Sequence, residues 1–131
     1  RFVQAIYKAK ILTFYELSGE HWNLVKEIQE SFPKYKYNSP AIETDTPVGY
    51  LDVCATEKYV YALYSGKNYR DDKDSAFSGY TIEVYGWDGT LQKRYQSDVP
   101  LKVIEVSKDD GSLYAIAYHP DPVLVRFPLN L

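Results

Sequence analysis

The chain has 131 residues, of which 45% are hydrophobic and 25% charged, so it is long enough for one globular domain with its own core. Its net charge of −3 disfavours a nucleic-acid partner, because binding to phosphates needs clustered Lys and Arg, and the 15 basic residues are scattered among 18 acidic ones. The apolar runs are only a few residues long, which excludes a membrane-spanning segment within this sequence.

The amino-terminal part alternates between strand-like segments and turns. Apolar-rich segments predict strands over Phe2–Lys8 and Ile11–Leu17, joined by a tight connection, and a more polar strand over Asn23–Glu30. Three prolines then predict a long loop over Ser31–Gly49, because proline removes a donor from the strand ladder. Since the chain has no Met and opens inside a strand pattern, we expect it to be a piece of a longer polypeptide.

The middle of the chain predicts a second series of strands, and a third series follows it. Tyr50–Thr56 and Tyr59–Ser65 are expected to form a hairpin, after which Gly66–Gly79 is a polar insertion. The remaining predicted strands are Thr81–Tyr85, Thr90–Gln96, Lys102–Val106, Ser112–Tyr118 and Val123–Phe127.

The second and third series repeat in register at an offset of 53 residues. Leu51-Asp-Val-Cys-Ala-Thr56 corresponds to Ile104-Glu-Val-Ser-Lys-Asp109, and Tyr59-Val-Tyr-Ala-Leu-Tyr64 corresponds to Ser112-Leu-Tyr-Ala-Ile-Ala117. A repeat of about 40–50 residues with about four strands is typical of β-propeller blades. We therefore predict an all-β fold of antiparallel propeller blades, about two and a half in number.

The predicted blades are divided by labelling their strands a to d from the propeller axis outward. An incomplete blade with strands b to d covers 1–32, a complete blade covers 50–97, and an incomplete last blade with strands a to c covers 101–129. The first blade lacks strand a and the last lacks strand d, so the ring cannot close within this chain. Exposed sheet edges invite further pairing, so we expect the remainder of the parent propeller or a second copy to cover them.

Local signals predict a turn and a core. Gly86-Trp-Asp-Gly89 is expected to be a tight turn with Gly89 at positive φ. Cys54 lies in an apolar strand and is interpreted as a small buried hydrophobic residue rather than a reactive thiol. The predicted core residues are Val53, Ala55, Val60, Ala62, Leu63, Ile82, Val84, Leu113, Ala115, Ile116 and Val125.

Two groups of motifs resemble a known family. Tyr59-Val-Tyr-Ala-Leu-Tyr-Ser-Gly-Lys67, followed by Ile82-Glu-Val-Tyr-Gly-Trp-Asp-Gly-Thr90, resembles the TolB-like six-bladed propeller proteins of gut anaerobic bacteria. Leu113-Tyr-Ala-Ile-Ala-Tyr118 with Leu124-Val-Arg-Phe127 is similar to the last blade of that family. The resemblance implies the C-terminal blades of a six-bladed propeller in a periplasmic or cell-surface location. It implies no catalytic residues, because the shared motifs are structural.

Few residues could carry chemistry. The acidic run Asp71, Asp72 and Asp74 could supply oxygen ligands, but it lacks the spacing and the terminal Glu of a calcium loop, so a solvated loop is the preferred interpretation. Both histidines lie in predicted turns, and no G-x-S-x-G motif is present. We therefore predict no metal, no other cofactor and no catalytic residue.

The long predicted connections fall on one face. In a propeller, d–a and b–c connections emerge on the same face, so Ser31–Gly49, Gly66–Gly79 and His119–Pro122 are expected to lie together, whereas the opposite face has short turns. Long loops on a rigid scaffold commonly hold binding sites. The candidate ligand-binding or partner-binding residues on this face are Tyr35, Tyr37, Tyr69, Arg70, Asp71, Phe77 and His119.

These observations favour a non-catalytic binding or scaffold module that recognises a protein or a glycan through the loop-rich face. Two alternatives stay open. One is a propeller enzyme that acts on glycans as a hydrolase or lyase, which rests on fold analogy alone. The other is a purely structural piece of a cell-envelope protein.

Overall fold

The computed structural model describes residues 1–118 and 120–131, and this part of the chain confirms an all-β antiparallel fold. In the described residues, nine strands form a three-stranded sheet, β1-β2-β3, and a six-stranded sheet, β4-β5-β6-β7-β8-β9. Within each sheet every strand pairs antiparallel with the next, as in propeller blades. The strands are β1 (Phe2–Ala5), β2 (Ile11–Ser18), β3 (His21–Gln29), β4 (Tyr50–Ala55), β5 (Tyr59–Tyr64), β6 (Gly79–Gly86), β7 (Leu91–Val106), β8 (Ser112–Tyr118) and β9 (Pro122–Pro128).

Strand β7 differs from the prediction. The sequence predicted two strands, Thr90–Gln96 and Lys102–Val106, whereas the structure has a single strand of 16 residues. The first half of β7 pairs with β6 and the second half pairs with β8. Between the halves, the Ser97 hydroxyl donates to the Val99 carbonyl at 2.7 Å and accepts from the Val99 amide at 3.1 Å. The register with β6 shifts at this segment, since Thr81 pairs with Gln96 whereas Gly79 pairs with Leu101, so the two predicted strands are joined by an irregularity within β7.

The six-stranded sheet curls on itself. Strand β4 contacts the second half of β7, and the Ile104 amide donates to the Asp52 carboxylate at 2.8 Å. The curl brings together two strands that were both predicted to lie nearest a propeller axis. Hydrogen bonds join all six strands from β4 to β9 into one sheet. The strand pairing therefore does not mark where the second blade ends and the third begins, and those boundaries stay a prediction.

The first long loop contains a ribbon that the sequence did not predict. Within Ser31–Gly49, the Lys36 amide donates to the Ala41 carbonyl at 2.8 Å, and the Glu43 amide donates to the Lys34 carbonyl at 2.7 Å. These two hydrogen bonds fold the loop back on itself. Its proline content thus prevents sheet formation without leaving the loop irregular.

The insertion after β5 also contains regular structure. A short helix, α1 (Tyr69–Asp72), leads into a 3-10 turn at Lys73–Phe77. Asn68 begins the helix because its side-chain oxygen accepts a hydrogen bond from the Asp71 amide at 2.9 Å, which satisfies one of the free donors of the first turn. Ala76 is fully buried, and its carbonyl accepts a hydrogen bond from the Ser65 hydroxyl at 2.6 Å, which anchors the insertion to the end of β5.

Two hydrophobic clusters hold the fold together, and strand β5 supplies both. Val60 and Ala62 point to one face of β5, and Tyr61 and Leu63 point to the other, so the strand is buried on both sides. The cluster between the two sheets contains Leu12, Phe14, Tyr50, Val60, Ala62 and Tyr85. The cluster inside the curled sheet contains Tyr61, Leu63, Ile82, Val84, Leu101, Ile104, Val106, Leu113, Ala115 and Ala117.

Most of the predicted core is confirmed. The predicted core residues that are buried are Val60, Ala62, Leu63, Ile82, Val84, Leu113 and Ala115. Val53, Ile116 and Val125 are half-buried. The prediction is wrong for Ala55, which is exposed because it is the last residue of β4, an edge strand of its sheet.

The turn between β6 and β7 has the predicted form. Gly89 has a φ of +80°, its amide donates to the Gly86 carbonyl at 3.0 Å, and the Gly86 amide donates to the Thr90 carbonyl at 2.9 Å. The turn also packs against the first sheet, since a Cβ at Gly89 would overlap the side chain of Lys26 from β3. Glycine is therefore required here both by the backbone conformation and by a close contact.

Two outer sheet faces carry exposed apolar side chains. One is the face of the first sheet that points away from the second sheet, and the other is the outer face of the last strands. These residues are Phe2, Trp22 and Leu24 on the first sheet, and Val103, Tyr114 and Leu124 on the last strands. No helix in the described residues is both long and apolar enough to cross a membrane.

Candidate functional site

The two long loops lie against each other at one end of the sheets. The Val48 amide donates to the Lys67 carbonyl at 2.7 Å, and the Gly66 amide donates to the Val48 carbonyl at 2.8 Å. Farther along both loops, the Arg70 amide donates to the Thr44 carbonyl at 3.0 Å. Backbone hydrogen bonds therefore hold Ser31–Gly49 and Gly66–Gly79 as one surface.

The turn between β1 and β2 belongs to the same surface. The Gly49 amide donates to the Tyr7 carbonyl at 2.6 Å, and the Tyr50 amide donates to the Ile6 carbonyl at 3.1 Å. The backbones approach so closely that a Cβ at Gly49 would overlap the Ala9 carbonyl. We use the term loop-rich face for the surface formed by residues 6–10, 31–49 and 66–79.

Three aromatic rings lie in contact on the loop-rich face. The Tyr7 and Phe77 rings are almost parallel, at 7°, with centroids 6.3 Å apart, and the Tyr69 centroid lies 6.1 Å from that of Phe77. Tyr7 and Tyr69 are exposed, whereas Phe77 is half-buried beside the anchoring Ala76. We call Tyr7, Phe77 and Tyr69 the aromatic row. It offers apolar ring surface that is open to solvent, at a spacing typical of aromatic pairs.

Lysine side chains accompany this row. The Lys8 ammonium lies 5.0 Å from the ring centroid of Tyr7, and the Lys73 ammonium lies 5.5 Å from that of Tyr69. Lys102 from β7 donates to the Phe77 carbonyl at 3.2 Å. Cations within about 6 Å of an aromatic centroid are attracted by the electrons of the ring face. The row is therefore flanked by positive charge.

Two predicted site residues, Arg70 and Asp71, have partners within the chain. The Arg70 guanidinium lies 3.2 Å from the Asp45 carboxylate, which also binds Lys34 at 3.2 Å. The hydrogen bond from Lys34, together with the nearby charge of Arg70, lowers the pKa of Asp45. Asp71 accepts a hydrogen bond from the Asn68 side chain at 2.9 Å. Both residues thus help to shape the loops.

Tyr35 and Tyr37 lie on the ribbon, outside the aromatic row. Tyr35 forms an isolated bridge with Ile42, and Tyr37 is 99% exposed at the ribbon tip. The structure thus places Tyr69 and Phe77 together and keeps Tyr35 and Tyr37 apart from them. The predicted site residue His119 lies outside the described residues.

Tyr7 and Lys8 were not among the predicted site residues. Both were assigned to a strand over Phe2–Lys8, whereas β1 ends at Ala5 and the two residues lie in the following turn. The signal was present, because this turn joins strands b and c of the first predicted blade. By the same geometric rule that placed the other long loops, it belongs on the loop-rich face.

A buried network of charged residues holds the β1–β2 turn against the second sheet. Glu83 in β6 is fully buried, and its carboxylate accepts hydrogen bonds from Lys10 at 3.3 Å, the Tyr50 hydroxyl at 3.0 Å and Arg94 at 2.9 Å. Lys10 also binds Glu30 at 2.8 Å. Burial alone lowers the pKa of Lys10, but the hydrogen bond to Glu30 and the charge of Glu83 outweigh it and raise the pKa. Lys10 therefore stays charged and holds the end of the β1–β2 turn in place.

The Cys54 thiol is explained by its packing in the core. Burial raises the pKa of the Cys54 thiol to about 12, with the charges of Glu105 and Asp52 adding to the effect, so Cys54 is unreactive at neutral pH, as predicted. Partial desolvation on the loop-rich face also raises the pKa of the Tyr7 hydroxyl. Within residues 1–118 and 120–131, no group of three or more His, Cys, Asp or Glu side chains could hold a metal ion. The loop-rich face offers stacking and ionic contacts.

Comparison with known proteins gives a family match. A family described as TolB-like 6-blade propeller-like has a model that matches residues 4–109. Searches of curated proteins and of solved structures return no match. The matched span includes both long loops and the aromatic row.

Proposed function

The chain belongs to the family of TolB-like six-bladed propellers, and we propose that it serves as a non-catalytic module that recognises a protein or a glycan through its loop-rich face. The observation that carries the proposal is the aromatic row, to which two separate segments contribute. Exposed rings beside charged groups are typical of recognition surfaces.

The rigidity of the face supports the proposal. Hydrogen bonds link Val48 to Lys67 and Gly49 to Tyr7, and the Ser65 hydroxyl donates to the Ala76 carbonyl at 2.6 Å. A surface that is already ordered loses less conformational entropy when a ligand binds. Binding energy from the rings is therefore not consumed in folding the loops.

Binding screens on matched variants test the proposal. A glycan array and a panel of purified envelope proteins are probed with the wild-type chain, with Tyr69→Ala/Arg70→Ala, and with the control Lys58→Ala/Lys108→Ala, which changes exposed residues outside the loop-rich face. We expect the first variant to weaken binding and the control to retain it. The first variant should keep its stability within about 1 kcal/mol, because the Arg70–Asp45 ion pair that it removes is largely exposed. A ligand that is retained by the first variant and lost by the control would contradict the proposal.

The enzyme alternative is tested in the same screen. A propeller hydrolase or lyase would shorten the glycans that it binds, and mass spectrometry of the incubated ligands would detect the products. The one fully buried carboxylate in the described residues, that of Glu83, is neutralised by Lys10 and Arg94 and lies between the sheets. That environment favours a structural role for Glu83 over proton transfer to a ligand. Detection of cleaved products would show that the protein is an enzyme and would overturn the proposed non-catalytic function.

The proposal also includes a location and a structural partner. Proteins of this family are typically periplasmic, and an extracytoplasmic location fits a role in recognising proteins or glycans of the envelope. The exposed apolar faces at Trp22 and Leu124 favour coverage by the remainder of a parent propeller or by a second copy of the chain. A purely structural role in an envelope protein is the outcome if the screens find no ligand for the loop-rich face.

A further inference from the structure

Four lysine–tyrosine pairs lie on or beside the loop-rich face. Besides the pairs at Tyr7 and Tyr69, the Lys67 ammonium is 4.7 Å from the Tyr80 ring centroid, and the Lys102 ammonium is 5.4 Å from that of Tyr118. All four tyrosines are exposed. The four lysines are Lys8, Lys67, Lys73 and Lys102.

These four ammonium groups lack a carboxylate partner among the described residues. The ion pairs found there involve other cations, namely Lys10, Lys34, Arg70 and Arg94. Lys73 and Lys102 donate only to the carbonyls of Arg70 and Phe77. The four lysines thus hold positive charge that no carboxylate of the described residues neutralises in a direct ion pair. An anionic ligand would complete these contacts.

The residue types separate the classes of anionic ligand. Lysine is depleted at protein–protein interfaces, which disfavours a protein partner for a surface with four such lysines. A double-stranded nucleic acid carries one charge per roughly 1.7 Å of its length and needs a denser basic cluster than four lysines beside Asp71, Asp72 and Asp74. An acidic polysaccharide fits both the aromatic row and the four lysines, because its sugar rings can pack on aromatic faces while its acidic groups bind ammonium groups.

We propose that the ligand of the loop-rich face is an acidic glycan, whose carboxylate or sulfate groups bind Lys8, Lys67, Lys73 and Lys102 while its sugar rings pack against Tyr7 and Tyr69. This inference rests on the proposed binding function and names the ligand class. Lys8 and Lys73 lie 5.0 and 5.5 Å from the ring centroids of Tyr7 and Tyr69, so a ligand that covers these two rings also meets two of the four ammonium groups. Recognition then depends on charge and on ring shape together.

Calorimetric titration with three polymers tests the inference. The probes are polygalacturonate, polyglutamate of matched length and charge, and a neutral glucan. We expect polygalacturonate to bind at least about tenfold more tightly than either other polymer, a difference of about one decade in Kd. Its affinity should fall as salt is added, since exposed charges are screened.

Two pairs of variants assign the contacts. Lys8→Gln/Lys73→Gln should weaken polygalacturonate binding about three- to tenfold at low salt, the range expected for two exposed ionic contacts. The matched control Lys58→Gln/Lys108→Gln removes the same charge elsewhere and should bind as the wild type does. Tyr7→Ala/Tyr69→Ala should weaken the binding of polygalacturonate more than that of polyglutamate. Circular dichroism and melting curves confirm that each variant is folded.

The outcomes separate the inference from the proposed function. In one outcome, the neutral glucan binds as tightly as polygalacturonate, and only Tyr7→Ala/Tyr69→Ala weakens its binding. That result would overturn the inference of an acidic glycan and leave the proposed binding function standing. Equal or tighter binding of polyglutamate would overturn it in favour of an acidic protein. Binding that is lost in Lys58→Gln/Lys108→Gln and kept in Lys8→Gln/Lys73→Gln would overturn both the inference and the proposed function. If polygalacturonate does not bind, the inference fails, and the wider screen decides the proposed function.

Discussion

The ammonium of Lys10 lies 3.3 Å from a carboxylate oxygen of Glu83, and the two residues are 73 positions apart in the chain. Lys10 ends the turn that carries Tyr7 and Lys8, whereas Glu83 is at the centre of β6. The ion pair therefore ties the first sheet and its turn to the second sheet. A buried carboxylate is tolerated here because two cations and the Tyr50 hydroxyl surround it.

Replacing Glu83 should destabilise the chain strongly. In Glu83→Ala, the largely buried Lys10 loses one of its two carboxylate partners and the Tyr50 hydroxyl loses its acceptor. We expect a loss of about 3–5 kcal/mol in the free energy of unfolding, measured by urea denaturation, because Lys10 keeps only the half-exposed Glu30 as a partner and the buried Tyr50 hydroxyl is left without this acceptor. Arg94→Gln serves as a control with a smaller loss, since the Arg94 side chain is half exposed. Equal losses in the two variants would contradict this account.

Replacing Gly89 should destabilise the turn before β7. Gly89→Val should lower the free energy of unfolding by about 1 kcal/mol or more, because a β-branched residue tolerates positive φ poorly. The double variant Gly89→Val/Lys26→Gly, compared with Lys26→Gly alone, removes the overlap with Cβ and Cγ of Lys26 but keeps the backbone strain, so it should recover only part of the loss. Gly111→Val is the control, because it introduces the same side chain in a turn where glycine does not have positive φ. An unchanged melting midpoint for Gly89→Val would refute the prediction.

Truncating Leu63 should leave a cavity in the core. Leu63 is fully buried in the cluster inside the curled sheet, so Leu63→Ala should cost about 2–5 kcal/mol of stability. Leu91→Ala removes the same atoms from an exposed position and should cost far less. Chemical denaturation of both variants measures the difference, and similar losses would show that Leu63 is not tightly packed.

Cys54 should contribute to a loss of stability in alkali. The folded state raises the pKa of its thiol from 9.0 to about 12, mainly by burial, so the neutral thiol is favoured in the folded chain. Its contribution is fully present below about pH 9 and is lost as the pH rises toward 12, by no more than about 1.4 kcal/mol per pH unit. Cys54→Ala should therefore lose less stability than the wild type across this interval in denaturation series at fixed pH. Parallel curves for the two proteins would exclude the effect.

The two exposed apolar faces should make the isolated chain self-associate. Trp22→Glu/Leu124→Lys places charges on both faces and should shift light-scattering masses toward the monomer, because large exposed apolar patches drive association. Leu91→Lys changes an exposed apolar residue elsewhere and should leave the mass distribution unchanged. A wild-type chain that stays monomeric at high concentration would show that these faces need no cover.

Strand positions and turn chemistry could be predicted because they depend on neighbouring residues. The aromatic and β-branched residues of Tyr59–Tyr64 indicated a strand, and the structure buries both of its faces. The glycine of the turn at Gly89 was predictable because only the local backbone decides its φ. The insertion was predicted less well, since α1 depends on the cap at Asn68 and on the burial of Ala76 against the sheet.

The candidate site could be predicted only in part. The rule for propeller connections indicated the face and the residues Tyr69 and Phe77, but the end of β1 was placed too late, and Tyr7 was missed as a result. A strand boundary is a weak local signal, because the same residues suit a strand and a wide turn. A shift of a few residues at this boundary changed the predicted membership of the site.

By itself, the sequence determined the all-β class, the repeat and the turn at Gly89, because backbone dihedral preferences and alternating hydrophobicity act between near neighbours. Only the tertiary structure decided that Tyr7 stacks on Phe77 and that Lys10 meets Glu83. Such contacts depend on how the two sheets pack and curl. Side-chain chemistry at one position carries no information about which distant residue will face it.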